Sequence, residues 1–124
     1  MGGKRKDQAG LIAIIEDDRA IRRLLVNALV RSHVRVMSAT SGTEGIDLIR
    51  KHANEIKTII MDMNLTDIDG FGVIDAVRPL LGGLHVIITS GQPVERSEKT
   101  FTGIRVTFVK KPYNIDDLIS LVTS

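Results

Sequence analysis

The feature that most constrains this chain is a regular alternation of short apolar runs with amphipathic segments. Five runs are rich in Ile, Leu and Val; they lie at 11–15, 34–37, 58–61, 85–89 and 104–109. Segments with helical spacing lie between most of them. Strands that alternate with helices predict a parallel sheet, because parallel neighbours need a crossover and a helix is the usual one. We therefore predict an α/β fold with helices on both faces of one sheet.

The first two helices are indicated by apolar spacing and by their capping residues. After Asp18, apolar side chains recur at the i, i+3, i+4 spacing of one buried face, and Asp18 is the predicted N-cap. A second helix begins at Ser41, which has the spacing of a capping box with Glu44. Both helices are predicted to pack one apolar face on the sheet.

Two later helices are predicted from the same signals. One runs from about Gly70 and ends near Arg78, because Pro79 disfavours helical geometry in the residue before it. The last follows Asn114, a suitable N-cap. The segment 91–103 has only a weak helical pattern.

The distribution of apolar and polar residues within the five runs predicts their order in the sheet. The first, third and fourth are apolar nearly throughout, as strands covered on both faces must be, whereas the second and fifth alternate apolar with polar residues. The second and fifth are therefore predicted edges. This pattern fits a doubly wound five-stranded sheet of order 2-1-3-4-5, the flavodoxin-like order, which binds ligands beyond the carboxyl ends of strands one and three.

Length and composition narrow the class of protein. The 124 residues fit one domain, predicted at 10–124, behind a disordered leader or tag remnant at 1–9 that carries the whole net charge of +2. The absence of cysteine excludes disulfides and thiolate chemistry and favours a cytoplasmic setting. No apolar stretch approaches the roughly 20 residues of a membrane span. Direct binding to nucleic acid or membrane is not predicted.

Polar side chains follow the predicted strands where each one ends. They are Glu16, Asp17 and Asp18 after the first strand, Asp62 after the third, Thr89 and Ser90 after the fourth, and Lys111 after the fifth. Carboxylates that converge repel each other unless a cation compensates, and hard oxygen ligands suit Mg²⁺. Such a set can support phosphoryl transfer, with a carboxylate as nucleophile and a lysine and a hydroxyl near the phosphoryl oxygens.

The motifs at these strand ends resemble those of the receiver domain of two-component response regulators, the CheY-like family. The resemblance covers about residues 10–123 and rests on four motifs in order: "IIEDD", "MDMNLTDIDGF", "VIITSG" and "VKKPY". Each motif stands at the end of a strand that was placed independently. The resemblance implies a phosphoacceptor domain of a two-component or phosphorelay system, which catalyses only its own phosphorylation and dephosphorylation.

Site roles follow from the resemblance by position. It implies that Asp62 is the phosphorylated aspartate, and that Mg²⁺ is bound by Asp17, Asp62 and the backbone carbonyl of Asn64, with Glu16 acting mainly through water. Thr89 would be the switch hydroxyl, Lys111 the lysine of the catalytic set and Phe108 the aromatic switch of strand five. The phosphoryl donor would be a histidine kinase or a histidine phosphotransfer domain.

Several positions depart from the family or have a plainer interpretation. Thr66 stands where the family usually has proline, and Gly91 offers no side chain near the switch threonine. Asp67 and Asp69 are interpreted as a solvent-facing turn and the next helix start. The three histidines share no spacing and are interpreted as structural.

Two other functions are alternatives to a phosphoacceptor domain. One is a receiver-like binding module that works without phosphorylation, although the chemical positions are all filled. The other is a haloacid-dehalogenase-like phosphatase, whose motif needs a second aspartate where Asn64 stands. The sequence leaves open whether the domain stands alone or is attached to a kinase or output domain outside this chain.

Overall fold

The computed structural model describes residues 10–92 and 101–123. The strands among them are β1 (Leu11–Ile15), β2 (Arg35–Ala39), β3 (Ile56–Asp62), β4 (His85–Ser90) and β5 (Arg105–Lys110). The helices are α1 (Arg19–Arg31), α2 (Gly42–His52), α3 (Gly70–Val77) and α4 (Ile115–Thr123), with a 3₁₀ turn at Arg78–Leu80 after α3. Most of the weak helical segment 91–103 lies outside the described residues.

The described strands form one parallel sheet in the order β2-β1-β3-β4-β5, which confirms the predicted topology. The central strands β1 and β4 are buried along their whole length. β2 and β5 are exposed or half-buried at most positions, as edge strands are. The edges predicted from alternation are therefore correct.

Helices cover both faces of the sheet and give two apolar clusters. One lies under α2 and α3, where Ile49 and Ile74 meet Ala13, Ile59 and Ile88 of the sheet. The other lies under α1 and α4, where Leu25 and Leu118 meet residues of the opposite face of the same strands. Because both faces are packed, the strand ends remain as the open edge of the fold.

The caps differ from the prediction in one detail. Asp18 accepts the Ile21 N–H at 3.0 Å and Ser41 accepts the Glu44 N–H at 3.1 Å, as predicted. The Glu44 carboxylate, however, accepts the N–H of Thr40 at 3.0 Å, one residue before the expected N-cap.

Two later predictions also hold at the helix ends. Asn114 Oδ1 accepts the N–H groups of Asp116 and Asp117, and α3 ends at Val77, one residue before the predicted Arg78. The chain then enters a 3₁₀ turn that contains Pro79. The caps set the directions in which the helices leave the strand ends.

A buried histidine at the start of β4 makes stability depend on pH. Burial, and then the positive charge of Arg105, lower the pKa of His85, whose Nε2 lies 2.7 Å from the Thr107 hydroxyl. As pH falls below the ordinary histidine value of 6.5, the unfolded chain gains a proton that the folded chain resists. The contribution of His85 to the free energy of unfolding should therefore fall on acidification, until the pH reaches the lowered pKa of the folded state.

Urea unfolding of wild type and His85→Gln across this pH range measures the effect. We expect the free energy of unfolding of the wild type, relative to that of the variant, to fall as the pH falls. His33→Asn is the control, because His33 is exposed and its positive φ of 62° suits asparagine. If His85→Gln kept the wild-type slope, another group would be responsible for it.

Candidate functional site

Three carboxylates meet at the carboxyl edge of the sheet. Glu16 and Asp17 directly follow β1, and Asp62 is the last residue of β3, the strand beside β1. One carboxylate oxygen from each lies within 4.8 Å of the other two. Glu16 is 2% exposed and Asp62 6%, so two of the three are shielded from solvent. The structure thus brings together the acidic residues that were predicted from the strand ends.

The carboxyl of Glu16 is buried beside two other acidic groups. Burial raises its pKa to about 7, and the charges of Asp62 and Asp17 act in the same direction. The Asp18 N–H, which donates to Glu16 Oε2 at 3.2 Å, and the positive charge of Lys111 oppose this rise. A divalent cation at this edge would offset the part of the rise that comes from the neighbouring negative charges.

Lys111 is paired with Asp62. Its Nζ donates to Asp62 Oδ1 at 3.0 Å, and the N–H of Asn64 donates to the same oxygen at 3.2 Å. The Lys111 backbone N–H donates to the Ser90 carbonyl at 2.8 Å, which fixes the chain just past β5. The Lys111–Pro112 peptide bond is cis. Within residues 10–92 and 101–123, Asp62 Oδ2 accepts no hydrogen bond.

Backbone contacts hold the turn that carries Glu16 and Asp17. The Arg22 guanidinium, from the first turn of α1, donates to the Glu16 carbonyl at 2.9 Å. Asp17 Oδ2 accepts the N–H of Thr66 at 3.0 Å, from the loop after β3. Proline at position 66 could not make this bond, because it has no N–H. The departure from the family at Thr66 therefore adds a contact to an acidic residue.

These residues fit a magnesium ion. Three carboxylates with converging oxygens are the hard donors that Mg²⁺ prefers. Asn64 lies at the same edge, with its N–H turned to Asp62. Its backbone carbonyl as a metal ligand stays a prediction.

The two predicted switch residues lie in different surroundings. Thr89, 2% exposed, pairs in register with Asp62 on the neighbouring strand, so it adjoins the acidic site. Phe108 pairs in register with Ile88 and packs in the cluster under α2 and α3. Its ring lies 5.7 Å from that of Phe101, edge to face. The half-buried ring of Phe108 therefore packs against the core on one face of the sheet.

Two residues near the site have environments that the motifs did not indicate. Tyr113 packs against the cluster under α1 and α4; burial raises its pKa to about 12, and the charges of Glu16 and Asp62 add to the rise. Asp67 was interpreted as part of a solvent-facing turn. It is exposed, but its carboxylate binds the start of α2, and these bonds from Thr43 and Gly42 hold its pKa below the usual range. Asp69 caps α3 by accepting the Gly72 N–H at 2.8 Å, as predicted.

The fold and the site together define a class of protein. A parallel sheet of this order, with three carboxylates and a lysine at its carboxyl edge, is the architecture of a receiver module. The chain belongs to the response regulator receiver domain family, whose model matches residues 12–123. It is therefore a receiver domain of two-component signalling.

The sequence relatives include transcriptional regulators that are longer than this chain. The chain is 28% identical over 112 residues to the cell cycle transcriptional regulator CtrA of Caulobacter vibrioides. This alignment covers 90% of this chain and 48% of CtrA. It is 40% identical over 67 residues to the transcriptional regulatory protein AfsQ1 of Streptomyces coelicolor, covering 54% of this chain and 29% of AfsQ1. The chain thus spans half or less of the length of these relatives.

Solved receiver domains have the same fold. The receiver domain of the hybrid histidine kinase CckA is 30% identical, with a TM-score of 0.78 over 91% of this chain and 95% of that one. A CheY-like receiver domain protein from Methanospirillum hungatei JF-1 has a TM-score of 0.79 at 24% identity, over 93% and 92% of the two chains.

None of the helices in residues 10–92 and 101–123 combines the length and apolar content that crossing a bilayer requires.

Proposed function

We propose that this receiver domain accepts a phosphoryl group on Asp62 in the presence of Mg²⁺ and that phosphorylation changes which partners it binds. The observation that carries this proposal is the position of Asp62, which is buried at the carboxyl edge, beside two further carboxylates and within 3.0 Å of the Lys111 ammonium. A buried aspartate with these charged neighbours fits a role in phosphoryl transfer better than a structural role in a turn. Family membership supports the same function.

The hydrogen bonds of Asp62 distinguish its two oxygens. Oδ1 accepts from Lys111 and from the Asn64 N–H, so its lone pairs are engaged. We assign nucleophilic attack to Oδ2. In the reaction, Oδ2 forms a bond to the phosphorus of a phosphohistidine, the P–N bond breaks, and its electron pair returns to the imidazole nitrogen. Lys111 holds the carboxylate in place for this attack and then remains close to the phosphoryl group.

Glu16, Asp17 and Asp62 would hold the magnesium ion, with the Asn64 carbonyl as a further ligand. When bound, the ion neutralises charge on the phosphoryl oxygens as they approach the acidic edge. Glu16 must be ionised to contribute, and its raised pKa means that lower pH weakens its part. Thr66 orients Asp17 by donating its N–H to the oxygen Oδ2.

Thr89 and Phe108 are the proposed switch. The Thr89 hydroxyl, next to Asp62 across the β3–β4 pair, would move to the phosphoryl oxygens together with Lys111. Movement of the loop after β4 would then allow the Phe108 ring to repack, which changes the surface beside β5. The donor is a histidine kinase or a histidine phosphotransfer domain, and an attached kinase or output domain outside this chain fits the longer relatives.

Intact-mass spectrometry after incubation with acetyl phosphate tests the proposed function. We expect a gain of one phosphoryl group with Mg²⁺ and none with EDTA, because the repulsion among the carboxylates opposes an anionic donor without the ion. Hydroxylamine should remove the group, since an aspartyl phosphate is an acyl phosphate. A wild-type protein that binds Mg²⁺ but gains no mass would favour a binding module that works without phosphorylation.

A further inference from the structure

The loop between β3 and α3, residues 63–69, is fastened to the start of α2 by one side chain. Asp67 Oδ1 accepts the Gly42 N–H at 2.9 Å. Its Oδ2 accepts the Thr43 N–H at 2.9 Å and the Thr43 hydroxyl at 2.6 Å. The first N–H groups of a helix have no partner within the helix, so this carboxylate satisfies two of them from a distant part of the chain.

Gly42 allows the loop to approach the helix this closely. A Cβ atom at position 42 would overlap the Cγ2 methyl of Ile68 and lie 3.2 Å from Asp67 Oδ1. Ile68 is half-buried and packs against the cluster under α2 and α3. The loop therefore rests directly on the helix start, held by an apolar contact and three hydrogen bonds.

The same loop contacts the acidic site on its other side. The Thr66 N–H donates to Asp17 Oδ2, and the Asn64 N–H donates to Asp62 Oδ1. Thr66 is adjacent to Asp67, so the position of its N–H depends on where the Asp67 carboxylate is held. A displacement at the start of α2 would thus be passed to the carboxylate of Asp17 through the side chain of Asp67 and the backbone of Thr66.

We propose that Asp67 is a positioning residue for the acidic site: by binding the start of α2 it fixes the Thr66 N–H, and with it the Asp17 carboxylate that binds Mg²⁺. The metal-binding part of this proposal rests on the proposed function, whereas the link from Asp67 to Thr66 does not. Asp67 itself does not touch the ion, because its two oxygens are turned to Gly42 and Thr43.

Asp67→Asn tests the proposal, with Ser41→Ala as its matched control. The asparagine loses the charge and one of the two acceptors. Ser41→Ala weakens the same helix start by removing the bond to the Glu44 N–H, without touching the loop. Two measurements are made: the Mg²⁺ Kd by calorimetry, and amide hydrogen exchange of Thr66 by NMR in metal-free protein.

We expect Asp67→Asn to raise the Mg²⁺ Kd about fivefold, somewhat less than the ~10-fold or more that loss of a direct partner of a metal ligand costs. Exchange of the Thr66 amide should become faster in the same variant. Ser41→Ala should change neither quantity, although it lowers the free energy of unfolding. Thr43→Val, which removes only the hydroxyl donor, should give a smaller change of the same sign and replaces Asp67→Asn if that variant does not fold.

Three results would overturn the proposal. Equal Kd changes in Asp67→Asn and Ser41→Ala would mean that Asp67 acts only through the stability of α2. An unchanged Thr66 exchange rate in Asp67→Asn would break the link to Asp17. Faster exchange with an unchanged Kd would limit Asp67 to holding the loop. Wild-type protein without Mg²⁺ binding would instead contradict the proposed function, and the exchange measurement would still decide the link between Asp67 and Thr66.

Discussion

Replacement of Asp62 by asparagine is expected to abolish phosphorylation by acetyl phosphate while the protein stays folded. The amide is almost isosteric and its oxygen can still accept from Lys111 Nζ and from the Asn64 N–H, which lie 3.0 and 3.2 Å from Oδ1. It lacks the anionic oxygen that would attack phosphorus, so we expect no mass gain under conditions that modify the wild type completely. This is the largest effect expected of any single substitution here.

Asp69→Asn is the matched control for Asp62→Asn. It makes the same chemical change seven residues further along the chain, and asparagine also serves as an N-cap for α3. It should be phosphorylated like the wild type. If Asp62→Asn still gained one phosphoryl group, another carboxylate would be the acceptor, and peptide mapping after borohydride reduction would identify it.

A second measurement on Asp62→Asn needs no phosphoryl donor. The negative charge of Asp62 contributes to the raised pKa of Glu16, whereas the positive charge of Lys111 lowers the pKa of Glu16. Removing that charge should therefore lower the Glu16 pKa toward its ordinary value, as followed by the NMR shift of its side-chain carboxyl carbon. An unchanged Glu16 pKa would mean that the charge of Asp62 does not contribute to the rise.

Replacement of Asp17 by asparagine is expected to cost most of the magnesium affinity. Outer partners of metal ligands are typically worth about 10- to 100-fold in affinity, so losing a ligand should raise the Mg²⁺ Kd by about 100-fold or more. The amide oxygen can still accept the Thr66 N–H, which is bonded to Asp17 Oδ2 in the wild type, so the loop should stay in place. Acetyl phosphate should then modify the protein only at much higher Mg²⁺ concentration.

Asp18→Asn separates the loss of a ligand from the loss of a charge. Asp18 is the next residue, but its Oδ1 accepts the Ile21 N–H as the N-cap of α1, a role that asparagine fills equally well. Both variants lose one negative charge at the same edge of the sheet. Calorimetric titration should show a small change for Asp18→Asn, and equal losses in the two variants would indicate that general electrostatic attraction, not coordination, holds the ion.

The acidic site could be anticipated because its members stand at the ends of strands. Glu16, Asp17, Asp62 and Lys111 each follow an apolar run, and the carboxyl ends of parallel strands must share one edge. The order of the strands could be predicted because central strands are buried on both faces and are apolar throughout, whereas edge strands alternate apolar with polar residues. The structure confirms that order and the convergence of these residues, while their roles in phosphorylation remain proposals.

What could not be anticipated depends on contacts between distant segments. The bonds of Asp67 to Gly42 and Thr43 join residues 24 and 25 positions apart, and no spacing rule within one element reveals them. For the same reason the turn interpretation of Asp67 missed its partner. The start of β2 at Arg35 was placed one residue early, because buried Val34 extends the apolar texture beyond the ladder.

Tyr113 has a practical consequence for work on this protein. The chain contains no tryptophan and a single tyrosine, whose side chain is half-buried and whose pKa is raised by burial and by the charges of Glu16 and Asp62. Its ultraviolet emission therefore comes from one reporter, whose surroundings change whenever charge is added to or neutralised at the acids. We therefore expect the proposed ion binding and the proposed phosphorylation of Asp62 to change its intrinsic fluorescence, which can be followed in real time without a label and without altering the sequence.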